Sequence, residues 1–314
     1  MRILFAGTSS IGEKALRAVA QQYELVGLLT QPDRPVGRHQ RLQPPPLKLA
    51  FQDIAPTLPI LQPEKLRDTA VVNSIAALHP DVIVTMAYGK IVPPAILSLP
   101  RLACLNIHAS LLPRHRGASP IQAAIIAGDV ESGITIMYMA EGLDTGDILL
   151  TKKIPLAPRE TAGTLTERLA ELAPEALLEA LDLLERGLAP RLVQREKEVT
   201  ITHRIERSDA ALDWSRSAIE LERLIRGLNP KPGAHGEILL PTGKKIMLKI
   251  FSAHIRPRAS QDEALPGSFF LSEEKQWLLC CGTGALLLEE VQPENRARMS
   301  FSDFARGHHL NFSA

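Results

Sequence analysis

The sequence predicts an α/β protein in which a mostly parallel sheet with flanking helices is followed by a smaller β-barrel domain. In the first half of the chain, short apolar runs alternate with helical stretches, as in parallel sheets covered by crossover helices. After Thr242, short apolar runs separated by turn residues replace that alternation. A chain of 314 residues also exceeds the usual length of one domain. We therefore expect a first domain at residues 1–188, a linker at 189–206 and a second domain at 207–314.

The first domain is expected to be Rossmann-like, with parallel strands joined by helices. Its candidate strands are short apolar runs: Arg2–Ala6, Glu24–Leu29, Val82–Met86, Cys104–Ile107 and Ile134–Met139. Apolar residues at helical spacing predict three helices, over Gly12–Gln22, Pro120–Ala127 and Thr161–Gly187. Thr30–Lys48 is rich in Pro, Arg and Gln without periodicity, so we expect a long loop there.

The second domain is expected to be a small antiparallel barrel of the OB-like type. Polar and charged residues with Pro190 make Leu188–Val199 a connection that leads out of the first domain. One helix is predicted around Ser217–Gly227. The candidate strands are Lys245–Ile250, Gly267–Phe270, Trp277–Cys280 and Ala285–Val291.

Composition excludes several classes of protein. Hydrophobic residues make up 45% and charged residues 23%, as in ordinary globular proteins rather than disordered or fibrous ones. No apolar stretch approaches the roughly 18 residues that indicate a membrane span. There are three cysteines and two of them, Cys280 and Cys281, are adjacent, which is incompatible with a disulfide framework. We expect a cytoplasmic protein without membrane association.

Charge is distributed unevenly along the chain. Residues 1–188 carry a net charge of −1, residues 189–258 carry +6 and residues 259–314 carry −4. A basic segment of this kind indicates a polyanionic partner such as a nucleic acid, although many basic runs are only solvated surface.

Four familiar motifs for nucleotide binding, metal binding or catalysis are missing from the sequence. Gly7 to Lys14 is not a phosphate loop, because Glu13 occupies the position where that motif has lysine, and the dinucleotide-binding glycine spacing is also absent. The histidines and cysteines lack metal-ligand spacing, so no metal is expected. No Gly-x-Ser-x-Gly elbow supports a serine hydrolase.

Three polar residues form a candidate site for acyl transfer to an amine. Asn106 and His108 alternate on one face at the carboxyl end of a predicted strand, which is the edge where open α/β sheets bind ligands. Asp144 lies in a glycine-bracketed acidic loop that could bring a carboxylate to the imidazole. Asparagine would donate to a developing oxyanion, histidine would donate a proton or hydrogen bond, and aspartate would orient the histidine. Taken alone, an asparagine or histidine at a strand end is more often a hydrogen-bonded structural residue than a catalytic one.

These residues lie in two strings that resemble the signature motifs of folate-dependent formyltransferases. Residues 106–121 read NIHASLLPRHRGASPI, and residues 142–148 read GLDTGDI at the expected distance. The segment TQPDRPVGR at 30–38, the domain after residue 206, Asp213-Trp214-Ser215 and Asn229-Pro230 resemble the branch of this family that acts on an aminoacyl-tRNA. The resemblance extends over nearly the whole chain.

The resemblance implies the donor, the acceptor and the residues that bind them. A formyl group would pass from 10-formyltetrahydrofolate to the α-amino group of methionine on initiator tRNA, without a metal, in an enzyme expected to be a monomer. The implied catalytic residues are Asn106, His108 and Asp144. The implied folate-contacting residues are Ser110, Leu111, Leu112 and Pro113. The implied tRNA-contacting residues are Arg34, Arg38, Arg41 and Lys48.

Departures from the family pattern concern details of these sites. Ala109 stands where the family usually has glycine, Ser9 and Ser10 replace the usual start of the first turn, and Lys231 replaces a common aromatic residue. Two alternatives stay open. A formyltransferase for a small amine, such as a nucleotide-linked amino sugar or glycinamide ribonucleotide, would have the same core. A catalytically silent RNA-binding or regulatory protein would have no need of all three catalytic residues.

Overall fold

The structure is a computed structural model that describes residues 1–37, 40–258, 264–308 and 310. These residues form two compact units. The first unit consists of Met1–Pro120, Glu131–Pro155 and Thr166–His203. The second unit consists of Ile121–Val130, Leu156–Leu165 and the described residues from Arg204 onward. Two short pieces of the expected first domain therefore pack with the second unit, and the segment expected as a linker packs with the first unit as far as His203.

Strands and helices are interspersed along the first half of the chain, whereas strands predominate in the C-terminal part of the chain. Up to residue 155 the elements are β1 (Arg2–Gly7), α1 (Glu13–Gln22), β2 (Glu24–Leu29), β3 (Arg34–Val36), β4 (Arg41–Gln43), α2 (Pro46–Ile54), β5 (Ile60–Leu61), α3 (Thr69–Ala76), β6 (Val82–Met86), α4 (Pro94–Leu97), β7 (Ala103–His108), β8 (Arg116–Gly117), α5 (Pro120–Ala127), β9 (Glu131–Tyr138) and β10 (Ile148–Pro155). Beyond it they are α6 (Ala162–Glu185), β11 (Ile201–Thr202), α7 (Ala218–Gly227), β12 (Ala234–Leu239), β13 (Lys245–Arg256), β14 (Phe269–Leu271), β15 (Trp277–Cys280), β16 (Ala285–Pro293), β17 (Met299–Ser300) and α8 (Phe301–Gly307).

A seven-stranded sheet forms the centre of the first unit, in the order β10-β9-β7-β6-β1-β2-β5. The five strands from β7 to β5 in that order are parallel, and β9 and β10 extend the sheet in antiparallel fashion. The predicted mostly parallel α/β sheet is confirmed. Strands β2 and β5 lie on one side of β1, and strands β6 and β7, which follow later in the chain, lie on its other side. The direction in which successive strands are added to the sheet therefore reverses between β1 and β6. The carboxyl ends of strands beside such a reversal form the usual ligand crevice of this architecture.

The predicted loop at Thr30–Lys48 contains regular structure. Strands β3 and β4 pair as a short antiparallel hairpin, and α2 already begins at Pro46. All residues of β3 and β4 are exposed, so neither strand has a buried face that would produce an alternating apolar pattern. Strand β10 was not predicted either, because apart from buried Leu149 its residues are half-buried or exposed at the edge of the sheet.

The second unit contains an antiparallel sheet in the order β12-β13-β16-β15-β14, with β17 paired to β16. Leu239, the last residue of β12, forms a bridge with Ser268, which directly precedes β14, so the two outermost strands of this order approach each other as in the predicted barrel. The indole of Trp214 anchors the unit, because its Nε1–H donates to the Glu237 carbonyl at 2.7 Å and its ring is buried in the core. Helix α8 was not predicted, since it spans only seven residues.

The helix predicted at Ser217–Gly227 is confirmed as α7. Its start is well defined because Ser217 accepts from the Glu220 backbone while the Glu220 carboxylate accepts from the Ser217 backbone, which is a capping box. The Glu220 carboxylate accepts from the Ser217 hydroxyl and backbone N–H and from Arg216, and these hydrogen bonds lower the pKa of Glu220 to about 2. No helix in the described part of the chain is long and apolar enough to cross a membrane.

Candidate active site

Strand β7 brings Asn106 and His108 to the edge of the sheet predicted from the sequence. Both side chains lie on one face of this strand, two residues apart at its carboxyl end. His108 is buried and Asn106 is half-buried. The loop after β9 places the Asp144 carboxylate between them, with Oδ1 3.4 Å from Asn106 Nδ2 and Oδ2 3.6 Å from His108 Nδ1. The three predicted residues therefore form one polar cluster within the first unit.

Thr85 on the neighbouring strand β6 orients the Asn106 carboxamide. Thr85 and Asn106 are cross-strand partners, and Thr85 Oγ1 donates to Asn106 Oδ1 at 2.8 Å. Because a carboxylate only accepts hydrogen bonds, the amide nitrogen of Asn106 must be the end that faces Asp144. The sequence analysis did not identify Thr85, since a lone threonine inside an apolar strand has no distinctive pattern.

The backbone carbonyl of His115 determines which nitrogen of His108 carries the hydrogen. His108 Nε2 lies 3.0 Å from the His115 oxygen, and a carbonyl only accepts, so Nε2 is protonated. The nitrogen without a hydrogen in the neutral ring is then Nδ1, which faces Asp144. Burial lowers the pKa of His108, and the Asp144 carboxylate opposes that shift in part. His108 is consequently a neutral base beside a carboxylate that can stabilise its protonated form.

The Asp144 loop has an unusual backbone conformation. Asp144 adopts φ of +51°, the left-handed region that residues other than glycine occupy at an energetic cost. Its Oδ2 accepts from the Gly117 N–H at 2.8 Å, which fixes the carboxylate. Gly146 is required because a Cβ there would lie 1.8 Å from the Tyr138 carbonyl oxygen.

The predicted folate-contacting run forms the turn after β7. Ser110 is buried and donates to the Arg114 carbonyl at 2.7 Å, and the N–H of buried Leu112 donates to Thr135 Oγ1 at 3.1 Å. These two residues hold the turn in place. Leu111 and Pro113 are half-buried, so their apolar side chains are the ones that a ligand can contact.

The predicted tRNA-contacting residues differ in their surroundings. Arg41 is exposed on β4, and Arg34 on β3 forms an exposed ion pair with Glu64 at 2.9 Å. Lys48 is largely buried and donates to both carboxylate oxygens of Asp33 and to Gln62 Oε1. Hydrogen bonds from Gln62 and Lys48 lower the pKa of Asp33. Lys48 thus holds the base of the hairpin, whereas Arg41 faces solvent. Arg38 lies outside the described residues.

The family departures noted in the sequence are accommodated without strain. Ala109 is not among the residues with positive φ, so its Cβ causes no backbone conflict. Ser9 precedes a 3-10 turn over Ser10–Gly12, and Lys231 is exposed. Within the described ranges, no group of three or more His, Cys, Asp or Glu side chains is arranged to hold a metal ion.

Comparisons with known proteins show the family to which the chain belongs. The family model described as formyl transferase matches residues 1–181, and the one described as formyl transferase, C-terminal domain, matches residues 204–309. The chain is 42% identical to a methionyl-tRNA formyltransferase of Pseudomonas putida over 315 residues, covering 100% of this chain and 98% of that protein. It is 41% identical to the enzyme of the same name from Akkermansia muciniphila over 309 residues, covering 98% and 97%.

Solved structures show the same fold at low sequence identity. A sugar 3N-formyl transferase, WlaRD, has a TM-score of 0.65 at 16% identity and covers 95% of this chain and 99% of its own. HypX from Aquifex aeolicus, solved in complex with tetrahydrofolic acid, has a TM-score of 0.61 at 17% identity and covers 97% of this chain and 47% of its own.

Proposed function

The chain belongs to the formyl transferase family, and on that premise we propose that it transfers a formyl group from 10-formyltetrahydrofolate to the α-amino group of methionine esterified to initiator tRNA. The chain is similar to methionyl-tRNA formyltransferases over its full length, including the β3–β4 hairpin and the second unit. This similarity is the main reason for proposing charged initiator tRNA as the acceptor. The product supports the initiation of translation.

Asn106, His108 and Asp144 perform the chemistry in this proposal. The acceptor amine attacks the formyl carbon, a carbon–nitrogen bond forms, and negative charge develops on the formyl oxygen. The Asn106 amide, oriented by Thr85, donates to that oxygen. His108 takes the amine proton at Nδ1, and the Asp144 carboxylate stabilises the cation. As the oxyanion collapses to the new formamide, the bond between the formyl carbon and the folate nitrogen breaks, and that nitrogen takes the proton from His108 and leaves with tetrahydrofolate.

In this proposal the folate portion of the donor binds at the turn after β7. A flat ring needs apolar walls beside the reacting group, and Leu111 and Pro113 keep part of their apolar surface exposed in the turn that directly follows His108. Ser110 and Leu112 act indirectly, because their hydrogen bonds to Arg114 and Thr135 set the shape of this turn.

Basic residues in both units suit a tRNA acceptor. Arg41 on the hairpin is exposed, as are Arg204, Arg207 and Lys244 in the second unit. Contacts of this kind with phosphates supply much of the affinity of proteins for nucleic acids. A small amine would use neither the hairpin nor exposed basic side chains on a second unit. Because all three catalytic residues come from one chain, the proposal includes a monomeric enzyme, which light scattering coupled to gel filtration would check.

A direct assay tests the proposal. The purified protein is incubated with 10-formyltetrahydrofolate and with charged initiator tRNA, charged elongator methionine tRNA, an amino-sugar nucleotide or glycinamide ribonucleotide. We expect formyl transfer to charged initiator tRNA at a kcat/KM at least about 100-fold above that for the small amines. A higher kcat/KM for a small amine would refute the proposal that charged initiator tRNA is the acceptor. The absence of formyl transfer to all four acceptors would refute the proposed enzymatic activity.

A further inference from the structure

We propose that Gln194 is a positioning residue for formyl transfer, and that its carboxamide holds the Asp144 loop in its reactive conformation. This inference rests on the function proposed above. Gln194 lies in residues 182–203, between the two ranges matched by the family models. No motif in the sequence indicates a role for it.

Gln194 is buried and uses both ends of its carboxamide. Only 5% of its surface is exposed. Its Nε2 group donates one hydrogen to the Asp144 carbonyl at 2.8 Å and the other to the Gly146 carbonyl at 2.7 Å. Its Oε1 accepts from Arg116 Nε at 3.0 Å. Both N–H hydrogens and the oxygen of this carboxamide have partners, and only one orientation of the amide satisfies all three. The side chain therefore holds the loop in place through hydrogen bonds and does more than fill a buried space.

The Asp144 loop needs such a clamp because its backbone conformation is unfavourable. A non-glycine residue at positive φ persists only where its surroundings enforce that conformation. The two carbonyls held by Gln194 belong to Asp144 itself and to Gly146. Without those hydrogen bonds, relaxation of φ at Asp144 would rotate its carboxylate away from His108 Nδ1. A displacement of about 1 Å costs as much as 100-fold in rate where catalytic geometry is exacting.

The segment around Gln194 also supports the opposite side of the site. We call Leu192–Thr202 the strap. At one end, the backbone of Leu192 exchanges hydrogen bonds with Ile148, just after the Asp144 loop. At the other, Thr200 Oγ1 accepts from the N–H of His115 at 2.8 Å. His115 is the residue whose carbonyl fixes the protonated nitrogen of His108.

Strand pairing holds the strap close to the His115 loop. Strand β11 of the strap pairs with β8, and a Cβ at Gly117 would lie 2.0 Å from the Thr202 carbonyl oxygen. Only glycine permits this approach, and the N–H of Gly117 binds the Asp144 carboxylate. The strap therefore connects the loops that carry Asp144 and His115, and Gln194 is its buried contact with the first of them.

The test replaces Gln194 by isosteric residues in the full-length protein. Gln194→Glu keeps the side-chain volume and the acceptor for Arg116 but places an oxygen against both carbonyls. We expect kcat for formyl transfer to fall about 10- to 100-fold, with KM for the folate donor and for charged tRNA within about threefold of wild type. Val193→Ala, at an 81% exposed neighbour in the strap, is the matched control and should leave kcat unchanged.

A second variant, Gln194→Met, removes the hydrogen bonds without adding charge. Because the Asp144 carboxylate raises the pKa of His108, loss of its position should shift the acidic limb of the kcat profile to lower pH. A merely structural role would leave that limb in place.

Besides an acidic limb that stays in place in Gln194→Met, three results would overturn the proposal. The first is a folded Gln194→Glu variant whose kcat is within twofold of wild type. The second is an effect on KM for tRNA with no effect on kcat. The third is a loss of activity in both variants that disappears at temperatures where they are fully folded. Melting temperatures measured in parallel identify the last case. Inactivity of the wild type would instead refute the proposed function.

Discussion

Thr85 Oγ1 donates to Asn106 Oδ1 at 2.8 Å across the parallel pair β6 and β7, at the edge of the sheet where the site lies. The threonine side chain is almost fully buried, so water cannot replace it as the donor. One end of the asparagine amide is thereby occupied by the protein and the other is directed toward Asp144. This arrangement makes Asn106 a pre-oriented donor instead of a freely rotating one.

Thr85→Val should impair catalysis while preserving the shape of the strand. The methyl group leaves Asn106 Oδ1 without its donor, and a lost hydrogen bond of about 1.4 kcal/mol corresponds to roughly a tenfold lower kcat. Steady-state formyl transfer measures the effect. Thr85→Ser retains the hydroxyl and should remain close to wild type. Equal losses in both variants would indicate a packing effect, not orientation of Asn106.

His108 and Asp144 are expected to act as a unit. His108→Ala and Asn106→Ala should each lower kcat/KM by about 10²- to 10⁴-fold in proteins that remain folded. Asp144→Asn should lower it mainly through His108, because its Oδ2 faces Nδ1 at 3.6 Å. The double variant of His108 and Asp144 should therefore be little worse than His108→Ala alone. Additive losses would contradict the coupling.

The buried His108 should make stability depend on pH in a defined direction. Burial lowers its pKa in the folded state below the ordinary value of 6.5, so below that pH the unfolded chain binds a proton that the folded chain does not. The stabilising contribution is complete above pH 6.5 and is lost as pH falls toward the folded pKa. Denaturant unfolding of wild type and His108→Gln measures the difference, which should reach at most about 1.4 kcal/mol per pH unit. An identical pH dependence in both proteins would contradict a neutral His108.

Arg41 and Lys48 should respond differently to substitution although both are basic residues of one segment. Arg41→Ala removes an exposed cation and should reduce the slope of log K against log salt for tRNA by about 0.7–0.9, with folate binding near normal. Lys48→Met should instead lower the melting temperature, because Asp33 and Gln62 lose their buried partner. Salt titrations and thermal melts of both variants separate the two roles. A normal melting temperature together with a reduced salt slope for Lys48→Met would show that Lys48 contacts the tRNA and would contradict its structural role.

Much of the fold could be predicted because its signals are local. The strands Glu24–Leu29 and Val82–Met86 and the helix Pro120–Ala127 have the predicted bounds, since buried elements require uninterrupted or periodic apolar residues. The exposed hairpin of β3 and β4 and the edge strand β10 were missed for the converse reason. These strands are held by backbone hydrogen bonds to neighbouring strands, and backbone hydrogen bonds do not produce a recognisable pattern of residue types.

The sequence by itself determined the fold class, the family and the identity of Asn106, His108 and Asp144 as the candidate catalytic residues. Only the tertiary structure decided how those residues are held: by Thr85 from the next strand, by the carbonyl of His115, and by the amide of Gln194, which bonds to residues 48 and 50 positions away along the chain. The physical reason is that a catalytic residue type is constrained by its chemistry and lies in a recognisable motif. Its orientation depends on directional hydrogen bonds that exist only after distant segments have packed together.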